Sequence, residues 1–177
     1  LFDRAGQGRV DAFFLGGGQI DGEGNINLVG TGPYPNSDTR FPGSFGSGYL
    51  YFSVPRVILF REEHSRRVFV DKVDFISAPG WSPPDVHRPG GPYALITSLC
   101  VFIYDRDNHR FRLSGLLPGA TLEEVRDNTG FDFDCPDDIG DIPPPEADRV
   151  ELIRTRVAGE IAETYPEFAR DRLGWQG

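Results

Sequence analysis

The sequence predicts an α/β fold with an open sheet of mixed strand direction and flanking helices. Short apolar runs separated by turns rich in Gly and Pro occupy the first two thirds of the chain, whereas helix-start signals appear only in the last third. Such an order of strands first and helices later is typical of a sheet that is at least partly antiparallel. Because no internal repeat or linker-like stretch divides the chain, residues 1–177 are predicted to form a single domain.

Five segments are predicted as strands because their residues are apolar or alternate in polarity. They are residues 10–15, 26–29, 54–60, 68–76 and 94–104. The last of them pairs with residues 110–113 across a turn at 105–108, which predicts a β-hairpin. Between the second and third strands, residues 30–48 consist largely of Gly, Pro, Ser and Thr, and are predicted to form a long ordered loop.

Two helices are predicted near the end of the chain. Thr121 and Glu124 stand at the spacing of a capping box, which predicts a short helix with Gly130 as its stop. A longer helix is predicted to open at Pro145 and to be interrupted at Pro166. Its apolar residues recur at helical spacing, at Val150, Ile153, Val157 and Ile161.

The composition narrows the possible partners and the compartment. A formal net charge of −9 argues against a nucleic acid partner and against an anionic membrane surface, since both require a basic face. No apolar run reaches the length of a membrane span and no signal segment opens the chain, so a cytoplasmic location is predicted. Cys100 and Cys135 are predicted to be reduced thiols, with Cys100 buried in a strand.

Two glycine-rich segments, residues 16–18 and 43–48, are the main candidates for a ligand site. Glycine lets a ligand approach the backbone amides closely, although either segment could instead be a purely structural hairpin or bulge. A dinucleotide site is excluded because the required Gly spacing is missing and a strand-like segment, not a helix, follows. Arg40, just before the second segment, is a candidate for contact with the phosphates of a nucleotide-like cofactor.

No metal site and no hydrolytic triad are predicted. The three histidines, His64, His87 and His109, show no ligand spacing among themselves or with the cysteines, and are predicted to be solvated or capping residues. The acidic stretch 132–138 places Pro136 where a calcium loop needs a ligand, so it is predicted to be a solvated loop. A Gly-x-Ser-x-Gly motif is absent from the sequence.

Four short motifs follow one another along the chain: Phe14-Leu-Gly-Gly-Gly-Gln-Ile-Asp21, Gly24-Asn-Ile-Asn27, Thr39-Arg40 and Gly43-Ser-Phe-Gly-Ser-Gly48. Together with residues 67–81, 96–99 and 117–131, they resemble the β subunit of the class I coenzyme A transferases, of which glutaconate CoA-transferase is one example. The resemblance implies the fold shared by CoA-transferases and sugar-phosphate isomerases. It also implies an α subunit as partner in an α2β2 heterotetramer, with an acyl-CoA and a carboxylic acid as substrates.

The resemblance also implies a mechanism, in which a glutamate carboxylate attacks the acyl-CoA and a glutamyl-CoA thioester forms. Backbone amides stabilise the oxyanion. By position in the motifs, the catalytic candidates are Gly46, Ser47 and Gly48. The candidates for binding coenzyme A are Gly17, Gly18, Gln19, Asn25, Asn27, Arg40, Gly43, Ser44 and Phe45.

The nucleophile of this family lies upstream of the first motif, in a Glu-x-Gly sequence that this chain does not contain. Glu23 lies in a variable turn and is a poor substitute for it. Because the chain also lacks methionine, we expect about the first third of a β subunit to precede it, and we expect no turnover by this chain alone.

Two alternatives to CoA transfer remain. Phe45 occupies a position where relatives that transfer CoA have glycine, and residues 64–69 resemble a branch of the family that hydrolyses a carbon–carbon bond. In that branch the α/β complex opens a ring of a steroid-derived CoA thioester, using a glutamate of the α subunit. The third hypothesis is a non-catalytic, partner-binding subunit.

Overall fold

A computed structural model describes residues 1–177 and divides the chain into two units, Leu1–Ile142 and Pro143–Gly177. The prediction of a single domain over 1–177 stays a prediction, and the two units are described separately. None of the helices combines the length and the apolar character needed to cross a membrane.

The first unit is built on one five-stranded sheet. Its strands and the shorter ones around it are β1 (Ala12–Leu15), β2 (Gln19–Ile20), β3 (Ile26–Asn27), β4 (Gly30–Thr31), β5 (Thr39–Arg40), β6 (Arg56–Arg61), β7 (Pro92–Thr97), β8 (Cys100–Asp105) and β9 (Arg110–Leu116). The sheet order is β1-β6-β7-β8-β9, with parallel pairs from β1 to β7 and antiparallel pairs from β7 to β9. The predicted mixed sheet is therefore confirmed.

The first unit also has three helices, α1 (Phe2–Gly6), α2 (Ser47–Ser53) and α3 (Leu122–Asn128). The predicted capping box of α3 is confirmed: the Glu124 amide donates to Thr121 Oγ1 at 3.2 Å, and the Thr121 amide donates to Glu124 Oε2 at 2.9 Å. This helix ends two residues before the predicted stop at Gly130. The sequence signals did not predict α1 and α2.

Three predicted segments differ from the observed ones. Residues 68–76 do not form a strand, because only Phe69 makes a bridge, a parallel one with Ile20. Residues 94–104 contain a turn after Thr97 and therefore form two strands, β7 and β8. The predicted loop 30–48 contains the short β4–β5 hairpin, and its last two residues already belong to α2.

The β2–β3 hairpin is fixed to the rest of the first unit by two buried tyrosines. Tyr51 donates its hydroxyl to the Gly24 carbonyl at 2.6 Å, and Tyr104 donates to the Glu23 carbonyl at 2.7 Å. Beside this turn the backbone at Gly80 comes so close that a Cβ atom there would overlap the Glu23 carbonyl oxygen. The tip of the hairpin is therefore held by backbone contacts that only glycine at position 80 allows.

The second unit is helical. A helix runs through α4 (Ala147–Leu152), a π-helical turn (Ile153–Val157) and α5 (Ala158–Ala162), and is followed by α6 (Pro166–Leu173). The predicted long helix is thus confirmed. Pro166 both interrupts it and starts the next helix, because the first helical position needs no amide donor.

Candidate functional site

The two glycine-rich segments are connected through residues that flank or contact them. A Cβ atom at Gly17 would lie 2.8 Å from Ile20 Cγ1, and one at Gly18 would overlap the Phe41 ring, two residues before the second segment. In that second segment, a Cβ atom at Gly48 would lie 3.1 Å from the Ser77 carbonyl oxygen, and Ser77 Oγ donates to the Ile26 carbonyl at 2.8 Å. The fold therefore brings together the two loops that the sequence analysis singled out.

The backbone of the second glycine-rich segment exposes amide groups at the start of α2. The Ser47 amide donates to the Ser44 carbonyl at 2.7 Å, which closes a turn, and Gly46 has left-handed φ and ψ of 67° and 0°. The first helical bond of α2 runs from the Leu50 amide to the Gly46 carbonyl at 3.1 Å. The amides of Gly48 and Tyr49 precede that bond and have no acceptor within the helix.

The side chains of this loop differ sharply in exposure. Phe45 is 91% exposed, and its ring centroid lies 5.9 Å from that of Phe2. Ser47 is 5% exposed, and its hydroxyl oxygen is buried without a hydrogen-bond partner in the chain. A buried hydroxyl without a partner costs about 1–3 kcal/mol, so the side chain of Ser47 is held in place by packing and not by hydrogen bonds of its hydroxyl.

Gln19 and Asn27, both predicted to contact coenzyme A, are buried in a hydrogen-bond network beneath the glycine loops. Asn27 Nδ2 donates to Gln19 Oε1 at 2.7 Å and to the Gly30 carbonyl at 2.7 Å. Gln19 Oε1 also accepts the Asp74 amide at 3.0 Å, and Gln19 Nε2 donates to Asp74 Oδ2 at 3.2 Å. These amide groups connect β2 and β3 to the segment around residue 74.

Asn25, the third predicted amide ligand, belongs to a separate buried network around Asp21. Asn25 Nδ2 donates to Asp21 Oδ2 at 3.1 Å, and Asn25 Oδ1 accepts the Gly80 amide at 3.0 Å. Burial raises the pKa of Asp21, and the hydrogen bonds from Asn25 and the Val73 amide oppose that shift. The network fixes the turn of the β2–β3 hairpin.

Arg40 is exposed and lies on β5. Its guanidinium is 6.0 Å from the centroid of the Tyr34 ring, and it makes no ion pair within the chain. Gly43, three residues past β5, is exposed with a φ of 111°. Both residues are therefore accessible to an anionic ligand, as the sequence analysis expects.

A cavity of about 480 Å³ lies at the carboxyl ends of β1 and β6, lined by Gly16, Phe60, Arg61, Glu62 and Glu63. In open α/β sheets, ligands bind outside the carboxyl ends of parallel strands, so this is the expected place for a substrate. Hydrogen bonds from Ser65 and then Arg67 lower the pKa of Glu63. Sequence reasoning missed this cavity, although three charged residues directly after a predicted strand were an available signal.

The prediction that His64 is a solvated or capping residue is wrong, because the structure buries its side chain. Its Nδ1 lies 2.8 Å from Thr97 Oγ1 and its Nε2 lies 2.9 Å from Thr129 Oγ1. Thr129 donates its hydroxyl hydrogen to the Val125 carbonyl at 2.6 Å, so Nε2 must be the donor and Nδ1 the acceptor. Burial lowers the pKa of His64 to about 4.

Cys100 lies beside this histidine, with its sulfur 4.0 Å from His64 Nδ1. Burial raises the pKa of the Cys100 thiol to about 12. Cys100 and Cys135 are both free cysteines, as predicted, and Cys100 is buried at the start of β8. The pair His64 and Cys100 is therefore neutral at physiological pH, unlike the charged pair of a cysteine nucleophile.

The mixed sheet and the glycine loop before α2 define a domain of the class found in enzymes that act on CoA thioesters. The coenzyme A transferase family matches residues 4–128, and the chain belongs to that family.

The B subunit of the 3-oxoadipate CoA-transferase of Pseudomonas knackmussii is 35% identical over 161 residues, covering 88% of this chain and 62% of its own length. The B subunit of the glutaconate CoA-transferase of Acidaminococcus fermentans is 32% identical, covering 81% of this chain and 56% of its own. The chain therefore spans about 60% of the length of these relatives.

A third relative is the cholesterol ring-cleaving hydrolase IpdB subunit of Rhodococcus jostii, which is 31% identical over 176 residues and covers 97% of this chain and 66% of its own length. The crystal structure of Rhodococcus jostii RHA1 IpdAB superposes with a TM-score of 0.80 at 30% identity, covering 87% of this chain and 63% of that one. The relatives of this chain therefore include proteins named as CoA-transferases and proteins named as ring-cleaving hydrolases.

Proposed function

We propose that this chain acts as the β-type subunit of a CoA-transferase, together with an α subunit, and moves coenzyme A between carboxylic acids. The observation that carries the proposal is the loop before α2, where left-handed Gly46 precedes a helical turn whose Gly48 and Tyr49 amides have no acceptor within the helix. The relatives named as B subunits of CoA-transferases support the same reaction.

In the proposed reaction a glutamate carboxylate attacks the thioester carbonyl, the carbon–sulfur bond breaks and CoA thiolate leaves. The thiolate then attacks the glutamyl carbonyl and releases the first acid, which leaves a glutamyl-CoA thioester for the second acid. Each attack creates an oxyanion, and we assign its stabilisation to the amides of Gly46 and Gly48, because the amide of Ser47, the third predicted candidate, already donates to the Ser44 carbonyl. Loss of one such donor costs about 10²–10³ in rate.

We assign the CoA-facing surface to the accessible part of the same region, namely Gly18, Arg40, Gly43, Ser44 and Phe45. The other predicted CoA contacts, Gly17, Gln19, Asn25 and Asn27, are buried, and the three amide side chains among them are hydrogen-bonded within the chain. Their contribution to CoA binding is therefore indirect, because they hold the glycine loops and the β2–β3 turn in position.

Borohydride trapping of a covalent thioester tests the covalent reaction. The full-length β polypeptide is assembled with its α subunit and exposed to a panel of CoA thioesters, and the reducible adduct is located by mass spectrometry. We expect the label on a glutamate outside residues 1–177. A label on Glu23, Glu62 or Glu63 would contradict this assignment, and the absence of turnover on every thioester would favour a non-catalytic subunit.

Substitution of Gly46 tests the oxyanion role, with Gly8 as the matched control. Gly46 and Gly8 have φ of 67° and 69°, so alanine costs about 1–2 kcal/mol of backbone strain at either position. At Gly46 the new Cβ atom would also lie 2.5 Å from the Phe2 ring, whereas at Gly8 nothing lies within 4 Å. We expect Gly46→Ala to lower kcat by about 10²–10³ beyond its effect on the folded fraction. Equal kcat in the two variants would remove the catalytic role of the loop.

A second candidate is a hydrolase that cleaves a carbon–carbon bond in a ring of a CoA thioester. The observations that favour it are the superposition on IpdAB and the side chain of Phe45, which is 91% exposed at a position where the sequence resemblance implies glycine in transferring relatives. If the protein is this hydrolase, a reaction in oxygen-labelled water should place the isotope in a newly formed carboxylate, and borohydride should trap no thioester. Phe45→Gly, which restores the glycine of the transferring relatives, should widen acceptor access if the protein is a transferase.

A further inference from the structure

A small cavity at the end of the sheet where β7 begins and β8 ends is lined by two arginines and by no carboxylate. Its volume is about 200 Å³, and its lining includes Trp81, Pro84, Val86, Arg88, Arg106 and His109. Asp85 lies between two lining residues but does not line the cavity itself, and Glu23, whose Oε2 is 3.5 Å from the Trp81 indole nitrogen, lines a neighbouring cavity instead. In a chain with a net charge of −9, this is a local concentration of positive charge.

Arg88 is held rigidly by neutral acceptors. Its Nε donates to the Gly90 carbonyl at 2.9 Å, and its Nη2 donates to the Pro79 carbonyl at 2.7 Å and the Tyr51 carbonyl at 3.3 Å. The guanidinium also lies 5.4 Å from the centroid of the Tyr51 ring. No ion pair neutralises it, so Arg88 presents a fixed positive charge at the cavity.

Arg106 has guanidinium N–H groups that are available to a ligand in the cavity. It is exposed, and one Nη2 hydrogen donates to the Pro55 carbonyl while its other guanidinium hydrogens have no partner in the chain. Arg88 and Arg106 repel each other, since the charge of Arg106 lowers the pKa of Arg88 in addition to the larger effect of burial. An anion between them would relieve this repulsion and accept the free N–H groups.

The remaining walls fit a small oxyanion on an organic group. Trp81 and His109 stack with ring centroids 4.6 Å apart and an interplanar angle of 15°, and His109 Nδ1 is buried without a partner. The volume is below the range of about 300–1,000 Å³ typical of pockets for drug-sized ligands, so a single head group fits best.

We propose that this cavity binds a phosphate group, with Arg106 as the adaptable donor and Arg88 as the fixed charge. Arginine is well suited to this role because its planar guanidinium matches phosphate oxygens with two parallel hydrogen bonds. The phosphate could belong to coenzyme A, in which case the site rests on the proposed function, or to another phosphorylated compound.

Titration of the 177-residue chain with inorganic phosphate at constant ionic strength, followed by proton–nitrogen correlation spectra, tests the proposal. The Trp81 indole resonance, identified as the one that Trp81→Phe removes, reports on the cavity. We expect it to shift, and Arg106→Gln to weaken binding at least about tenfold. Arg9→Gln, which removes another exposed charge elsewhere on the chain, should leave the affinity unchanged.

Two outcomes would overturn the proposal: a Trp81 shift no larger than chloride gives, or equal affinity of Arg106→Gln and the unsubstituted chain. Adenosine monophosphate and coenzyme A distinguish the sources of the phosphate. If coenzyme A binds more tightly than inorganic phosphate and adenosine monophosphate, a phosphate of coenzyme A is the occupant. If inorganic phosphate and adenosine monophosphate bind equally well, the occupant is another phosphorylated compound. Because this readout needs no turnover, its failure and that of the proposed function are distinguishable.

Discussion

Acidification should destabilise this protein through His64. The imidazole is neutral in the folded chain because burial lowers its pKa from 6.5 to about 4, and both of its ring nitrogens are already hydrogen-bonded to threonines. A histidine with a lowered pKa binds protons more readily in the unfolded chain. Its contribution to stability is therefore complete above pH 6.5 and is lost progressively as the pH falls toward 4.

The size of the effect follows from the two pKa values. Each pKa unit corresponds to about 1.4 kcal/mol, so the full loss below pH 4 is about 3 kcal/mol, and about 2 kcal/mol of it is lost by pH 5. For a domain of ordinary stability, this is a substantial fraction of the free energy of unfolding.

Urea unfolding of the unsubstituted chain and of His64→Gln, measured between about pH 7.5 and pH 5, isolates this contribution. Glutamine does not titrate, so the difference in unfolding free energy between the two proteins should shrink by about 2 kcal/mol over that range. His87→Gln, at an exposed position, should show no such trend. A pH-independent difference for His64→Gln, or an NMR titration of His64 with an ordinary pKa near 6.5, would refute the reasoning.

Two further predictions concern local features. Thr121→Ala removes the side-chain acceptor of the Glu124 amide, so chemical denaturation should show a loss of about 1 kcal/mol, and a loss below about 0.3 kcal/mol would mean that the cap is not needed. Cys135 should react with a thiol reagent in the folded chain, whereas Cys100, whose pKa burial raises to about 12, should react only on unfolding. Equal rates for the two thiols would contradict the burial of Cys100.

The elements predicted correctly from the sequence are those whose local residue patterns favour the same structure that their tertiary contacts require. The capping box of α3 and the hairpin-forming strand β9 follow from local chemistry, and the structure contains both. Helix α2 was missed because its sequence, SGYLYFS, has weak helix propensity and no side-chain cap at Gly46. The burial of Leu50 and Tyr51 holds it in place, and a single sequence does not reveal that contact.

Residues 68–76 were predicted as a strand because most of them are apolar, yet they form no ladder and only three of them are buried. Val68, Phe69 and Val73 are buried, while the Val73 amide donates to Asp21 Oδ2 at 3.4 Å, a side-chain acceptor in place of a neighbouring strand. Apolar character indicates which side chains are buried but not which partner receives the backbone hydrogen bonds.

The same limit applies to the site. Polar residues next to glycine loops look like ligand contacts in a sequence, but Gln19 and Asn27 bond to each other inside the fold, at 2.7 Å. Arg61 and Glu63 were not singled out because their place at the carboxyl end of β6 depends on the parallel pairing with β1.

The close contact between Gly80 and the Glu23 carbonyl ties together two positions far apart in the sequence. Any side chain at position 80 would have to be accommodated by a change in the length or path of the turn between β2 and β3. During the divergence of related chains, insertions in that turn should therefore accompany replacement of the glycine. In a library randomised at position 80 alone, selection for folded protein should recover glycine almost exclusively.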